Sequence, residues 1–137
     1  MRARVLAAGL AVLTLGPAGC GYAQPDLFEV QRSGADRNAN VNLVVNDGGT
    51  VSCNRGTPIA LPGPQLLTAR DLARRLEQEA TLSIDLPPAH NSILRYKVVT
   101  PSGSVAFSDT SAGKPHSFDR LVQFSQDVIE GVCKIRR

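Results

Sequence analysis

The chain has 137 residues, 42% of them apolar and 20% charged, which fits one globular domain whose core needs no metal to fold. Tryptophan is absent and aromatic residues make up only 4%, so we expect a core built mainly from Val, Leu and Ile. Once Arg2 and Arg4 of a predicted leader are set aside, 13 basic residues face 12 acidic ones, and this balance gives no electrostatic reason to expect nucleic-acid binding.

The first 19 residues have the pattern of a secretory signal peptide. Arg2 and Arg4 give it a positive start, and an apolar run of eleven residues follows at 5–15. This run is too short to span a bilayer, which needs about 20 residues. Glycine and proline at 16–19 then end the run. We therefore predict that the chain is exported.

Two cleavage sites are open. Pro17-Ala18-Gly19-Cys20 resembles a bacterial lipobox, with Pro17 where leucine is usual, and this implies a lipidated Cys20 that holds the protein on the outer face of the cell membrane. Each buried CH₂ of the acyl chains would add about 0.8 kcal/mol to this anchoring. The mature protein would then have a tether at 20–26 and one domain at 27–137. The alternative is cleavage after Ala23, which removes residues 1–23 and gives a freely secreted protein.

Both cleavage sites remove Cys20 from disulfide chemistry, because it is either lipidated or cut away. Cys53 and Cys133 remain, and in an oxidising compartment two cysteines allow one bridge. This bridge would close a loop of about 80 residues and stabilise the fold by roughly 4 kcal/mol. No C-x-x-C motif marks a reactive thiol, so we predict a structural disulfide.

The first half of the mature chain predicts three strands and a helix. Apolar and polar residues alternate over 27–32, 40–45 and 50–54, and the second and third strands are joined by the turn residues Asn-Asp-Gly-Gly. The segment 55–67 has three prolines and two glycines, so we expect a loop that crosses the sheet. Thr68 is the expected N-cap, with Asp71 completing a variant capping box, of a helix that continues to about Ala80.

The second half predicts a hairpin and a second helix. A short extended segment at 81–86 precedes two alternating runs within 93–109, which are joined by a Pro-x-Gly turn. The second helix is expected over about 118–134, with Ser117 as its N-cap. The order β-β-β-α-(β)-β-β-α predicts an α+β domain: an antiparallel sheet of about five strands with two helices packed on one face.

The sequence contains no catalytic signature. His90 and His116 lie in separate loops without metal-ligand spacing, and no G-x-S-x-G motif is present, so we predict no metal, no cofactor and no enzyme activity. Arg70, Arg74 and Arg75 form a basic cluster that indicates a solvated helix face or, as the alternative, a contact with anionic lipid. The loops at 32–39 and 55–67 are the candidate binding surfaces, since loops on a rigid scaffold commonly carry recognition.

Two stretches resemble a known family. The run from Phe28 to Gly34 resembles the strand and R-S-G-G opening of emfourin-type inhibitors of protealysin and other thermolysin-like metalloproteases, although Ala35 replaces the second glycine. The hairpin that begins Leu94-Arg95-Tyr96 and the helix after Pro115 resemble the second half of that family, whereas the disulfide and the Pro-rich segment are additions. The resemblance implies that Arg32, Ser33 and Gly34 belong to a protease-contacting region.

These observations lead to one expected function and two alternatives. We expect a non-enzymatic, exported, membrane-anchored binding protein, in its sharpest form an inhibitor of a secreted metalloprotease. The chain is also similar to small secreted lipoproteins of actinobacteria, which describes a location rather than an activity. The first alternative is a structural or accessory envelope lipoprotein of a larger complex. The second is a small hydrolase whose site, with His90 or His116 beside a serine and a carboxylate, assembles only in three dimensions.

Overall fold

The computed structural model describes residues 24–136. The predicted signal peptide, both cleavage sites and the lipidation site Cys20 lie outside these residues. Within them, neither helix is long and apolar enough to cross a bilayer.

The described residues form one antiparallel sheet of six strands and two helices, so the predicted α+β class is confirmed with one strand more than expected. The strands are Asp26–Gly34 (β1), Val41–Asn46 (β2), Thr50–Cys53 (β3), Ile59–Ala60 (β4), Leu94–Thr100 (β5) and Gly103–Ser108 (β6). Their spatial order is β4-β3-β2-β1-β5-β6. The predicted hairpin is β5–β6, and β1 lies at the centre because it pairs with both β2 and β5.

Alternation along the strands gives the sheet one buried face and one exposed face. In β1, Phe28 and Val30 are buried while Glu29 is half-buried and Gln31 is exposed, and β2 and β5 repeat this period of two. The exposed face carries mostly amide, hydroxyl and charged side chains. The buried face carries the core and is covered by helices α1 (Gly63–Thr81) and α2 (His116–Gly131), as predicted.

Aromatic stacking joins α2 to the sheet. Phe107 on β6 stacks between Tyr96 on β5 and Phe118 on α2, with ring centroids 5.3 and 4.4 Å apart. Phe28 on β1 meets Phe124 on α2 edge-on at 5.9 Å. All five rings are buried, and offset or edge-on packing adds to the apolar burial that holds the second helix on the sheet.

Helix α1 begins earlier than the sequence pattern predicts. Its first residue is Gly63, so the prediction that 55–67 is a loop throughout is wrong. Pro64 lies in the first turn, where a helix tolerates proline because the N–H there has no partner within the helix. Thr68 is therefore inside the helix, and its hydroxyl donates to the carbonyl of Pro64. Thr68 is not an N-cap, and the expected capping box with Asp71 is absent.

The start of α2 also differs from the prediction. Pro115 occupies the N-cap position, so Ser117 lies within the first turn and does not cap the helix. The Ser117 hydroxyl instead donates to Glu79 Oε1 on α1 at 3.0 Å. This contact is long-range, and local sequence signals therefore did not reveal it.

Both outer strands of the sheet have restricted edges. At one side β4 has only two residues and lies between Pro58 and Pro62. At the other side a segment after α1 lies alongside β6 in parallel, through a bridge between Asp85 and Ala106. The Leu86 N–H donates to the Ala106 carbonyl at 2.8 Å. Of the predicted extended segment at 81–86, only the last residues therefore pair with the sheet.

The disulfide prediction is confirmed by geometry. The sulfur atoms of Cys53 and Cys133 lie 1.93 Å apart, and their Cα atoms are 6.0 Å apart. Cys53 ends β3 and Cys133 follows α2, so the bridge joins an outer part of the sheet to the C-terminal segment.

Asp71 links the two helices, and we expect this link to make stability depend on pH. It accepts from Arg75 on α1 and from Arg120 on α2, both at 2.8 Å, and these hydrogen bonds lower its pKa from 3.8 to about 2. Because the folded pKa is below the unfolded one, the stabilisation is present above about pH 4 and is lost as the pH falls towards 2. Asp71→Asn should therefore destabilise at pH 6 and have little effect at pH 2.

Thermal unfolding of the wild type and of Asp71→Asn from pH 6 to pH 2 measures the difference in stability between them. Asp119→Asn is the matched control, because the ion pair of Asp119 within residues 24–136 is with Lys114, just before α2, and does not join the two helices. A difference between wild type and Asp71→Asn that stays constant from pH 6 to pH 2 would contradict this role.

Candidate functional site

The two ends of β1 define two ends of the sheet. The chain enters the sheet at Asp26, the first residue of β1. Gly34, the last residue of β1, lies about 26 Å from Asp26 at the usual rise per residue of a strand. The Gly34 end, which we call the distal end, also contains the start of β2, the end of β3 and the start of β5, because these strands are antiparallel to their neighbours. Both segments implied by the family resemblance, the R-S-G residues and the beginning of the hairpin, meet there.

A shallow cleft of about 320 Å³ lies at the distal end. One wall is the end of β1 with its loop, and the other is the segment that leads into β5. The residues of this distal cleft are Ser33, Gly34, Ala35, Asp36, Ser92, Ile93, Leu94 and Arg95. Ile93 is 54% exposed, which makes it an apolar side chain presented to solvent in the cleft.

Arg32 holds the loop wall of the cleft in place from inside. Its side chain is only 2% exposed, Nε donates to the Ala39 carbonyl and Nη2 donates to the Asn38 carbonyl, both at 2.9 Å. Nη1 reaches Gln126 on α2 at 3.2 Å. The guanidinium thus fixes the loop after β1, and of the three residues that the resemblance implies, Ser33 and Gly34 line the cleft while Arg32 positions it.

Gly34 is required by close packing. A Cβ atom at this position would lie 2.5 Å from the Ile93 carbonyl oxygen, which is backbone and has little freedom to move. The absence of a side chain therefore allows the end of β1 to approach the segment that leads into β5. This contact joins the two walls of the distal cleft.

Asp109 fixes the other wall. Its Oδ1 accepts from the Ser92 hydroxyl at 2.9 Å and its Oδ2 accepts from the Ile93 N–H at 3.2 Å. Burial tends to raise the pKa of this carboxyl, but the hydrogen bonds from Ser92, Ile93 and neighbouring N–H groups outweigh burial and lower the pKa. Asp109 therefore stays ionised and holds the backbone of Ile93 in place.

The C-terminal segment supports the loop wall from outside. The Asn38 side-chain amide donates to the Arg136 carbonyl at 2.8 Å, and the disulfide at Cys133 holds the same segment against β3. Ile93 and Asp109 lie outside the two loops that the sequence indicates as binding surfaces, and Asp109 acts through partners more than 15 residues away. Asn38 lies within the loop at 32–39, but its bond to Arg136 joins residues 98 positions apart and has no local signal.

The groove beside the start of α2 comes nearest to the hydrolase alternative. It is lined by residues that include His116, Ser117 and Glu79. Ser117 donates directly to Glu79, whereas a nucleophilic triad needs the histidine between serine and carboxylate. His116 has no hydrogen bond within residues 24–136 that would place it there. Those residues also contain no cluster of three metal-ligating side chains.

The basic cluster on α1 is compensated by acidic side chains. Arg70 pairs with Asp47 at 2.6 Å, and Arg74 and Arg75 pair with Asp71 at 3.3 and 2.8 Å. All three arginine side chains remain substantially exposed, so this face agrees with a solvated helix surface. The Pro-rich candidate surface at 55–67 divides into β4 and the first turn of α1.

No family model, no curated protein and no solved structure matches the chain. Fold and site therefore define its class from the residues alone: a disulfide-linked α+β domain with one six-stranded antiparallel sheet, two helices on one face and a rigid cleft at the distal end.

Proposed function

We propose that this protein is a non-enzymatic, exported binding protein that recognises a protein partner through the distal cleft. The observation that carries this proposal is the pairing of an exposed apolar side chain, Ile93, with two walls that are each fixed by side-chain hydrogen bonds to the backbone. A rigid surface with one apolar anchor is the usual core of a protein–protein contact.

Rigidity supports binding rather than catalysis here. Arg32 holds one wall through carbonyl oxygens, Asp109 holds the other, and the tight approach at Gly34 joins them. Because these contacts exist before any partner arrives, little conformational entropy is lost when it binds. The shallow shape suits a protruding protein segment better than a small substrate, which usually needs an enclosing pocket.

The proposed location follows the same geometry. A lipid anchor at Cys20 would join the domain through the tether at 20–26, which leads into the start of β1. The distal cleft lies about 26 Å away, at the other end of that strand. An anchored domain would therefore present the cleft away from the membrane and towards exported proteins.

In its sharpest form the proposal is inhibition of a thermolysin-like metalloprotease. Its support is the resemblance at residues 28–34 together with the position of Ser33 and Gly34 in the cleft wall. In this form Ser33, Gly34 and Ile93 face the protease, and Arg32 acts by positioning the loop.

The test is to incubate the exported form with a panel of secreted thermolysin-like metalloproteases and to measure peptide hydrolysis. We expect inhibition of at least one member at micromolar concentration. Ile93→Asp should weaken it about tenfold or more, because a charge would replace the apolar anchor. The matched control is Leu67→Asp, which places the same charge at an exposed leucine on α1.

Two results would contradict the proposal. Absence of inhibition across the panel removes the inhibitor form. Equal effects of the two substitutions remove the distal cleft as the recognition site.

A further inference from the structure

We propose that the distal end also carries a basic patch that binds an acidic segment of the protein partner. The patch consists of Arg37, Arg55, Lys134 and Arg136, which we call the distal basic patch. This inference deepens the proposed function and rests on it, because it names the chemistry that the partner must present beside the cleft.

Three separate parts of the chain bring these residues together. Arg37 lies in the loop after β1, next to Asn38, whose side chain bonds to the Arg136 carbonyl. Arg55 follows β3 two residues after Cys53, and Lys134 follows Cys133 in the disulfide that joins the two segments. The hydrogen bond and the disulfide thus place all four residues at the end of the sheet that contains the distal cleft.

The patch charges are available to a partner. All four residues are exposed, and within residues 24–136 none of the four forms an ion pair. The basic residues of the helices behave differently, since Arg70, Arg75 and Arg120 each meet an aspartate within 3 Å.

The acidic residues near the patch are fewer than the basic ones. Asp36 is in the same loop as Arg37, and Glu130 near the end of α2 already accepts from Gln126. Glu29 on the exposed sheet face feels the positive charge of Arg55, which contributes to its lowered pKa after the hydrogen bonds from Gln31 and Asn42. Positive charge therefore exceeds negative charge around the four patch residues, on a chain that is otherwise nearly balanced.

Backbone conformation gives a second, independent reason. Arg55 has φ of +61° and Lys134 has φ of +59°, in the left-handed region that glycine adopts without steric cost. Glycine is the usual residue just after a helix, where Lys134 stands. Long cationic side chains at two strained positions are understandable if their charge is needed at the surface.

An acidic protein segment fits the patch better than an anionic membrane. The patch lies at the opposite end of β1 from the point where the chain enters, about 26 Å along the strand. The patch lies at the same end of the sheet as Ile93, so this end of the molecule offers one exposed apolar side chain and four exposed cationic side chains. The complementary partner is a protruding segment with an apolar side chain flanked by Asp or Glu.

The first measurement uses fluorescence anisotropy with a labelled peptide that has one central leucine flanked by glutamates. Its matched control is the same peptide with every glutamate replaced by glutamine. We expect the exported protein to bind the acidic peptide, to bind the glutamine peptide about tenfold or more weakly, and to lose affinity as salt is raised.

Variants then locate the binding charge. Arg55→Gly with Lys134→Gly should weaken binding of the acidic peptide about tenfold while the melting temperature stays equal or rises, because glycine relieves the left-handed conformation. Arg37→Gln with Arg136→Gln should weaken binding similarly and leaves both strained positions intact. The control is Arg70→Gln with Arg74→Gln, which removes two exposed charges on α1, away from the distal end, and should preserve binding.

Three results would overturn the inference. In the first, the wild type does not prefer the acidic peptide. In the second, the two patch variants bind the peptide as tightly as the wild type does. In the third, the protein binds phosphatidylglycerol vesicles through the patch residues but does not bind the peptide. Absence of inhibition across the protease panel does not determine whether the protein binds the acidic peptide, so the two experiments are interpreted separately. If Ile93→Asp abolishes protease inhibition and the patch variants do not change it, the proposed function stands and the acidic-segment inference falls.

Discussion

Replacing Cys53 and Cys133 by serine is expected to lower the free energy of unfolding by about 4 kcal/mol. The two residues are 80 positions apart, and opening so long a loop restores a large conformational entropy to the unfolded chain. Local stability should fall most at the distal end, because the bridge fixes the C-terminal segment, in which the Arg136 carbonyl accepts from Asn38.

Urea unfolding followed by circular dichroism measures this change, since the chain has no tryptophan for fluorescence. Wild-type protein unfolded with a thiol reductant present is the matched control and should show the same loss. Hydrogen exchange should accelerate at residues 35–39 and 132–136 before it does so in β1 and β5. A loss below about 1 kcal/mol would mean that the bridge contributes little to the fold.

Replacing Arg32 by alanine is expected to lower the free energy of unfolding by about 3 kcal/mol. The substitution removes a charged donor from two carbonyl oxygens and from Gln126, and each such hydrogen bond contributes about 1.5–3 kcal/mol, with part of the total recovered by water. Arg32→Lys should recover only part of the loss, since an ammonium group lacks the planar fork that serves two carbonyls.

Comparing the stability and the inhibition of these variants shows whether Arg32 positions the loop or contacts the partner. Arg37→Ala removes an exposed arginine from the same loop and should change stability by less than about 0.5 kcal/mol. If Arg32→Ala is as stable as the wild type and still loses protease inhibition, Arg32 contacts the partner directly. If stability and inhibition fall together and Arg32→Lys restores part of both, Arg32 acts by holding the loop.

Strand positions and the class of fold could be predicted from the sequence because the signals are local. The alternation through β1, β2 and β5 follows from which side chains must be buried, and the Pro-x-Gly turn marks the β5–β6 hairpin. Gly103 at that turn has φ of +147°, and a Cβ atom there would lie 2.3 Å from the Ala80 carbonyl oxygen at the end of α1. A turn glycine identified from sequence thus also fits the helix against the hairpin.

The predicted starts of both helices are wrong because the sequence offers two possible starts for each helix, a Thr or Ser that could cap it and a proline that precedes it. Thr68 and Ser117 have the side chains of N-caps, yet both helices begin after a proline, at Gly63 and His116. The prolines at 55–67 predict a loop, whereas proline is compatible with the first turn of a helix. The Pro-Gly-Pro run at 62–64 is the signal that could have placed the start of α1 correctly.

The candidate site could be predicted only in part because its contacts are long-range. The resemblance indicates Arg32, Ser33 and Gly34, and the alternation through Phe28 and Val30 puts Arg32 on the buried face. No local signal identifies the carbonyl oxygens that its guanidinium binds. The distal basic patch joins residues nearly 100 positions apart through a disulfide and one hydrogen bond. Composition alone does not reveal it, since the charges of the predicted mature chain nearly cancel.

The restricted edges of the sheet affect how the protein behaves when many copies are close together. A free strand edge is a template on which a second molecule can add its own strand, and this is the first step towards amyloid-like fibrils. Here β4 is too short and too close to proline to extend such a ladder, and the Ile84–Leu86 stretch occupies part of the outer edge of β6. Neighbouring molecules are therefore kept from polymerising edge to edge, and self-association would have to involve other surfaces.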